Sequence, residues 1–346
     1  MSKRGWTVLL IVLSLLPGAI VLAQETKDFA DYKEMRAYLG ELFQQKKYAE
    51  AAALLESVLD RYPANVLANT FNLAAARAYL GEADKAVDAL EEGLRRGVFF
   101  GLWDFVGEFW DPIRETPRFR AFLEANKARV DEASGKAVLL TDVVTPEGYD
   151  PARKYPLFIA LHGGGETMAE LEPLWTSPRL KSEFITLYVQ STQVASMKGF
   201  HWQDAAQTRR DVEAAYNKVL ARYPIDPGRV LIGGFSSGGY GAMVTAFANP
   251  FPVRGFVALC PSVPEALSDD DILAAKGRGL RGTVLTTELD HRVEAQRALA
   301  ERMAKLGLTV EFHQTPNIGH WFPEDFAARL DRAIGLILAD APAEKR

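Results

Sequence analysis

The sequence of 346 residues holds one cysteine, Cys260. A single thiol permits neither an intrachain disulfide nor a zinc cage built from cysteines. Cys260 follows an apolar strand pattern, which marks it as a buried structural group. Clustered positive charge is missing as well. The chain carries 40 Lys and Arg against 45 Asp and Glu, for a net charge of −5, and has no basic stripe of the kind that holds nucleic acid. No polycationic stretch points to an acidic substrate. A membrane span is lacking too: the apolar run at residues 6–16 is too short and is broken by Pro17-Gly18. The composition of the whole chain, 48% hydrophobic and 25% charged, is that of a globular protein long enough for two domains.

Residues 1–23 have the layout of a secretory leader. Lys3 and Arg4 precede the apolar run, and Val21-Leu22-Ala23 offers short side chains before a cleavage point near Ala23. No cysteine stands there, which argues against a lipid anchor; an uncleaved N-terminal anchor is the alternative. Losing the leader takes the net charge from −5 to −7 through Lys3 and Arg4. An exported chain without disulfides is expected in the bacterial periplasm or secreted, with no membrane attachment after cleavage.

Residues 28–130 show helical periodicity, many alanines and few β-branched residues. Ala51 and Ala86, Leu55 and Leu90, and Leu59 and Leu94 are each 35 residues apart. Small residues at the first pair let helices approach closely. Gly81 marks a turn between two helices, and Pro63 ends the first unit. This segment resembles the tetratricopeptide repeat, whose unit is about 34 residues. The resemblance implies a surface for a protein partner. The aromatic stretch at 99–127 is expected to seal the end of the stack, against the next domain; a peptide or substrate groove is the alternative.

From residue 136 to 340 strands alternate with helices, an α/β pattern that predicts a mostly parallel sheet flanked by helices. Strands are expected at 138–144, 157–161, 185–190, 230–233, 256–260, 283–287 and 309–313, and helices at 203–223, 237–248, 293–306 and 323–339. Catalytic residues should then lie at the carboxyl ends of strands. The strand at 157–161 runs directly into His162-Gly163-Gly164-Gly165. Bare glycine amides at a strand end suit a developing oxyanion. Later, Gly234-Phe235-Ser236-Ser237-Gly238 follows the strand at 230–233 and opens a helix. A serine on so sharp a strand-to-helix turn needs glycines two residues away on either side.

A base and an acid are expected after the serine. Of five histidines, His162 belongs to the glycine motif, His201 precedes the serine, His291 is beside Asp290, and His313 lies within a strand. His320, just past the last strand, is left as the base. Asp290, just past the strand at 283–287, is the acid; Glu288 lies within the strand end, and residues 269–271 form a solvated acidic run that can cap a helix. Ser236 is then the nucleophile, with the oxyanion held by the amides of Gly163, Gly164 and Ser237. Trp321, next to the base, and Trp202 are candidates to line the substrate site. About 20 residues separate the strands on either side of the 260–280 loop, too few for a large cap.

Together, Leu161-His162-Gly163-Gly164-Gly165, Asp226-Pro227-Gly228-Arg229, the serine turn, Asp290-His291-Arg292-Val293 and Gly319-His320 resemble the α/β-hydrolases. The likeness is to carboxylesterases of the feruloyl-esterase and polyhydroxybutyrate-depolymerase kind. It implies an α/β-hydrolase fold, ester substrates, and no metal or cofactor. Asp226 and Arg229 would fix the loop into the nucleophile strand. A peptidase of the prolyl-oligopeptidase type shares this order of residues, although no propeller precedes it here. A helical-repeat scaffold with a vestigial hydrolase domain is the remaining alternative.

Overall fold

A computed structural model describes residues 28–339. The leader expected at 1–23 lies outside the described residues. The chain starts with helices α1 (Tyr32–Gln44), α2 (Tyr48–Val58), α3 (Val66–Tyr79), α4 (Ala83–Arg95), α5 (Asp111–Arg114) and α6 (Pro117–Lys136). α1 turns Met35, Leu39 and Leu42 inward, and α2, α3 and α4 pack alanine-rich faces against the same core. Ala51, Leu55, Ala86 and Leu90 are fully buried, at the 35-residue interval noted above. Gly81 turns the chain between α3 and α4 with φ +73°, a left-handed conformation that favours glycine. Phe100, Phe105, Trp110, Phe119 and Phe122 fill the end of this helical core. The final helix runs on to Lys136, past the expected end at residue 130. Nothing breaks it earlier, and Thr116 caps its start through the amide of Phe119.

The second region is a seven-stranded sheet flanked by helices. Its strands are β1 (Leu140–Val144), β2 (Tyr155–Leu161), β3 (Ile185–Gln190), β6 (Ile225–Phe235), β7 (Gly255–Leu259), β8 (Arg281–Thr287) and β9 (Thr309–Thr315), with a separate hairpin of β4 (Gln193–Ser196) and β5 (Gly199–His201). The order is β1-β3-β2-β6-β7-β8-β9, parallel throughout except for β1. This is the expected mostly parallel sheet flanked by helices and preceded by an all-helical region. β2, β3 and β7 are buried along their whole length, as strands covered on both faces are; β2 and β7 are near-continuous apolar runs, while β3 also buries Thr186 and Gln190. The interposed helices are α7 (Met168–Leu171), α8 (Pro178–Glu183), α9 (Ala205–Leu220), α10 (Ser237–Ala248), α11 (Asp269–Gly277), α12 (Val293–Lys305) and α13 (Phe326–Leu338).

Two apolar layers hold the sheet, one on each face. Ile159, Leu161, Val212, Met243 and Phe256 belong to one, and Phe158, Trp175, Phe235, Leu330 and Ile334 to the other. The strand carrying the serine begins earlier than expected. It includes a bulge at 226–229, where Arg229 Nε pairs with Asp226 Oδ2 at 2.7 Å and the Gly228 amide donates to Asp226 Oδ1 at 2.9 Å. Among the described residues no helix is long and apolar enough to cross a membrane.

Candidate active site

Ser236 sits between β6 and α10 with φ 55° and ψ −114°, a backbone conformation that few non-glycine residues adopt. The flanking glycines are required by contact with backbone atoms. A Cβ on Gly234 would lie 2.2 Å from the Gly238 carbonyl carbon, and one on Gly238 would lie 2.3 Å from the Leu161 oxygen. The turn is therefore locked against the end of β2. The Ser236 amide donates to the Leu259 carbonyl at 2.9 Å, and its own carbonyl accepts from Ser262 at 3.1 Å.

The structure brings Ser236, His320 and Asp290 into one chain of hydrogen bonds. His320 Nδ1 lies 2.7 Å from Asp290 Oδ2, and Nε2 lies 2.9 Å from Ser236 Oγ. A carboxylate only accepts, so Nδ1 carries the proton and Nε2 accepts the serine hydroxyl. The loop bearing His320 is tied to the end of β8. Thr287 Oγ1 donates to the Gly319 carbonyl at 2.6 Å, the Leu289 amide to Ile318 at 3.0 Å, and the Asn317 amide to Glu288 Oε2 at 2.8 Å. Glu288, set aside as the acid, thus holds the loop that carries His320.

Asp290 is almost fully buried. Burial alone would raise its pKa. The His320 hydrogen bond, the Arg292 amide at 2.7 Å and Gln296 at 3.4 Å outweigh that and hold the carboxyl well below the usual carboxylate range. Gln296 also donates to the Pro261 carbonyl at 2.9 Å and accepts from Thr286, so its amide is fixed in orientation. Sequence spacing offered no signal for Gln296; its role depends on α12 lying over β8.

The glycine motif departs from expectation at one position. The Gly163 amide donates to Glu166 Oε2 at 2.8 Å, so it is not free for an oxyanion. A carboxylate three residues on, at the turn from β2, was the signal available in the sequence. The amides of Gly164 and Ser237 have no acceptor among the described residues, and the two residues are neighbours: a Cβ on Gly164 would lie 3.4 Å from Ser237 Cβ. His162 positions the first of them. The Ser191 amide donates to His162 Nε2 at 3.2 Å, so the ring proton is on Nδ1, which donates to the Gly163 carbonyl at 2.7 Å. A trans peptide sets its N–H opposite its C=O. Holding that carbonyl therefore turns the Gly164 N–H to the other side. Burial pushes the His162 pKa down to about 4, which keeps the ring neutral.

The β4–β5 hairpin buttresses this loop. Gly165 donates to the Phe200 carbonyl at 2.8 Å, and Phe200 donates back to Glu166 at 3.0 Å. A Cβ on Gly199 would fall 1.9 Å from the Gly165 oxygen, so only glycine fits there. Trp202 is fully buried. Its indole N–H donates to the His162 carbonyl at 3.0 Å and its amide to Ser237 Oγ at 2.9 Å. It forms part of the cleft wall, but its polar groups are spent on the scaffold. Trp321 is half exposed and rests edge-on against Phe235 and Phe322. It is not among the residues that line the cleft over Ser236.

That cleft has a volume of about 690 Å³. Gly164, Ser236 and Ser237 form its floor, Val263 and Ala266 of the short loop after β7 one wall, and Trp103 and Val106 of the helical region another. Trp103 also meets the His201 ring edge-on, with centroids 5.0 Å apart. Within the aromatic stretch, then, most side chains seal the helical core while Trp103 faces the site. One group of metal-type donors occurs among the described residues: Cys260, Asp290 and His320, with ligand atoms within 4.8 Å of one another. Burial pushes the Cys260 thiol up to about 12, so in the free protein it is a neutral thiol.

No protein-family model and no curated protein matches the chain. Solved structures do resemble it. An uncharacterized protein from Bacillus cereus ATCC 10987 is 23% identical, with a TM-score of 0.49 over 88% of this chain and 98% of that one. Esterase PE8 is 17% identical, with a TM-score of 0.43 over 56% of this chain and 99% of its own. Est2, a thermophilic esterase from Thermogutta terrifontis, is 17% identical, with a TM-score of 0.45 over 60% and 90%. None of these likenesses is close enough to carry a substrate or an activity across.

Proposed function

We propose that the protein is a serine hydrolase of carboxylic esters, working through an acyl-enzyme. The observation that carries the proposal is the unbroken chain from Ser236 Oγ to His320 to Asp290, opening on a cleft beside two unpaired amides. Ser236 attacks the ester carbonyl while His320 Nε2 takes its proton. The amides of Gly164 and Ser237 hold the tetrahedral oxyanion; one such donor typically contributes about 3 kcal/mol to the barrier reduction. His320 then protonates the leaving alcohol. Water, deprotonated by the same nitrogen, releases the acid and restores the serine. Asp290 keeps Nδ1 protonated and stabilises the imidazolium. No cofactor enters this sequence of steps.

The helical region supports the same reading as an entrance wall, through Trp103 and Val106. Its tetratricopeptide-like spacing also makes it the proposed site for a protein partner, and the leader makes a periplasmic or secreted setting the proposed location. Turnover of short-chain 4-nitrophenyl esters by the mature protein, beside Ser236→Ala, tests the proposal. Turnover is expected from the native protein and not from the variant. Hydrolysis of peptide substrates in place of esters would favour the peptidase alternative, and no turnover of either would favour the scaffold.

A further inference from the structure

Arg292 lines the cleft together with Ser236. Its main-chain amide is fixed on Asp290, but its guanidinium makes no hydrogen bond or ion pair among the described residues, and its Nη1 is buried without a partner. Other arginines with an orphaned buried nitrogen are anchored elsewhere on the same group: Arg229 by Asp226, and Arg254 by the Gly279 carbonyl. An exposed guanidinium is satisfied by water. A half-buried one with an enclosed, unpaired N–H leaves a charged donor uncompensated, which is costly unless an anion arrives.

The surroundings show what kind of anion would fit. Arg292 is the one cation in the lining, and the neighbouring polar groups, Gln203, Tyr240 and Ser262, are neutral. The one acid there, Glu265, is exposed on the rim and forms no ion pair with Arg292. A planar guanidinium fork matches a carboxylate, and a single cation suits a monoanion better than a phosphate dianion. Trp103, Val106 and Val263 leave an apolar stretch for a short carbon linker between that charge and the ester.

We propose that the cleft takes carboxylic esters bearing a free carboxylate, and that Arg292 recognises that carboxylate; the proposal rests on the ester-hydrolase reading above. The charge can be carried by the acyl or by the alcohol portion. Two matched pairs separate these: 4-nitrophenyl hydrogen glutarate against its methyl ester, and 4-acetoxybenzoate against its methyl ester. One anionic member should be preferred over its neutral partner by roughly tenfold to a hundredfold in kcat/KM, mostly through KM. Arg292→Met should abolish that preference and Arg292→Lys retain part of it, a split that a purely structural role would not produce. Turnover of the neutral esters with no preference for either anion, or a preference that survives in Arg292→Met, overturns this proposal alone. Absence of all turnover overturns the hydrolase reading and this proposal with it.

Discussion

Ser236 is held in a strained conformation because three strand ends converge on it, and the other residues of the candidate site are fixed just as locally. Asp290 is the clearest case. Burial opposes its charge, yet three donors keep it ionised. Asp290→Asn should preserve the fold and lower kcat by roughly ten thousandfold, because the amide favours the wrong tautomer of His320; steady-state kinetics beside a circular dichroism spectrum would check both halves. Acid should also act through two histidines, His162 fully buried and His201 half-buried. Burial pushes His162 and His201 down to about 4 from 6.5. Between those values the unfolded chain binds protons that the folded chain refuses, so stability should fall as the pH drops from 6.5 toward 4. Urea unfolding across that range would show the trend, and His201→Gln should flatten it. That Ser236, Asp290 and His320 would meet was legible in the sequence because each follows a strand. The filled Gly163 amide had one local signal, the Glu166 carboxylate three residues on, whereas the state of Arg292 had none, since an empty guanidinium is a fact of tertiary contact.

At the scale of elements, the site is a set of tight approaches between backbones. α10 can begin where it does only because Gly238 lies against the carbonyl end of β2. Gly238→Ala should therefore destabilise the protein by about 1–3 kcal/mol or more and displace the elbow, read as a lowered unfolding midpoint together with lost ester turnover. The central strands were legible from their apolar runs. The β4–β5 hairpin was not, because residues 193–201 mix polar and apolar side chains, and the need for Gly199 comes from the distant Gly165. The bulge at 226–229 was foreshadowed by the Asp226 and Arg229 pair, while its inclusion in β6 depends on pairing with Tyr155.

On the scale of the whole molecule, the helical region supplies the wall that the short 260–280 loop does not. Trp103, partly exposed and in a short turn between α4 and α5, is the side chain through which it reaches the cleft. Helical periodicity could not single it out from the core aromatics around it, because that turn is not an α-helix. Trp103→Ala should widen the cleft and raise KM several-fold for bulky acyl esters, with a stability change within about 1 kcal/mol, checked by a series of acyl lengths and a thermal melt. All of this depends on Ser236 being a nucleophile. The most direct measurement is to treat the mature protein with a fluorophosphonate and map the adduct by mass spectrometry. A single phosphonyl group on Ser236, absent from Ser236→Ala, is the predicted result. An unlabelled native protein, or a label that persists in the variant, would contradict it.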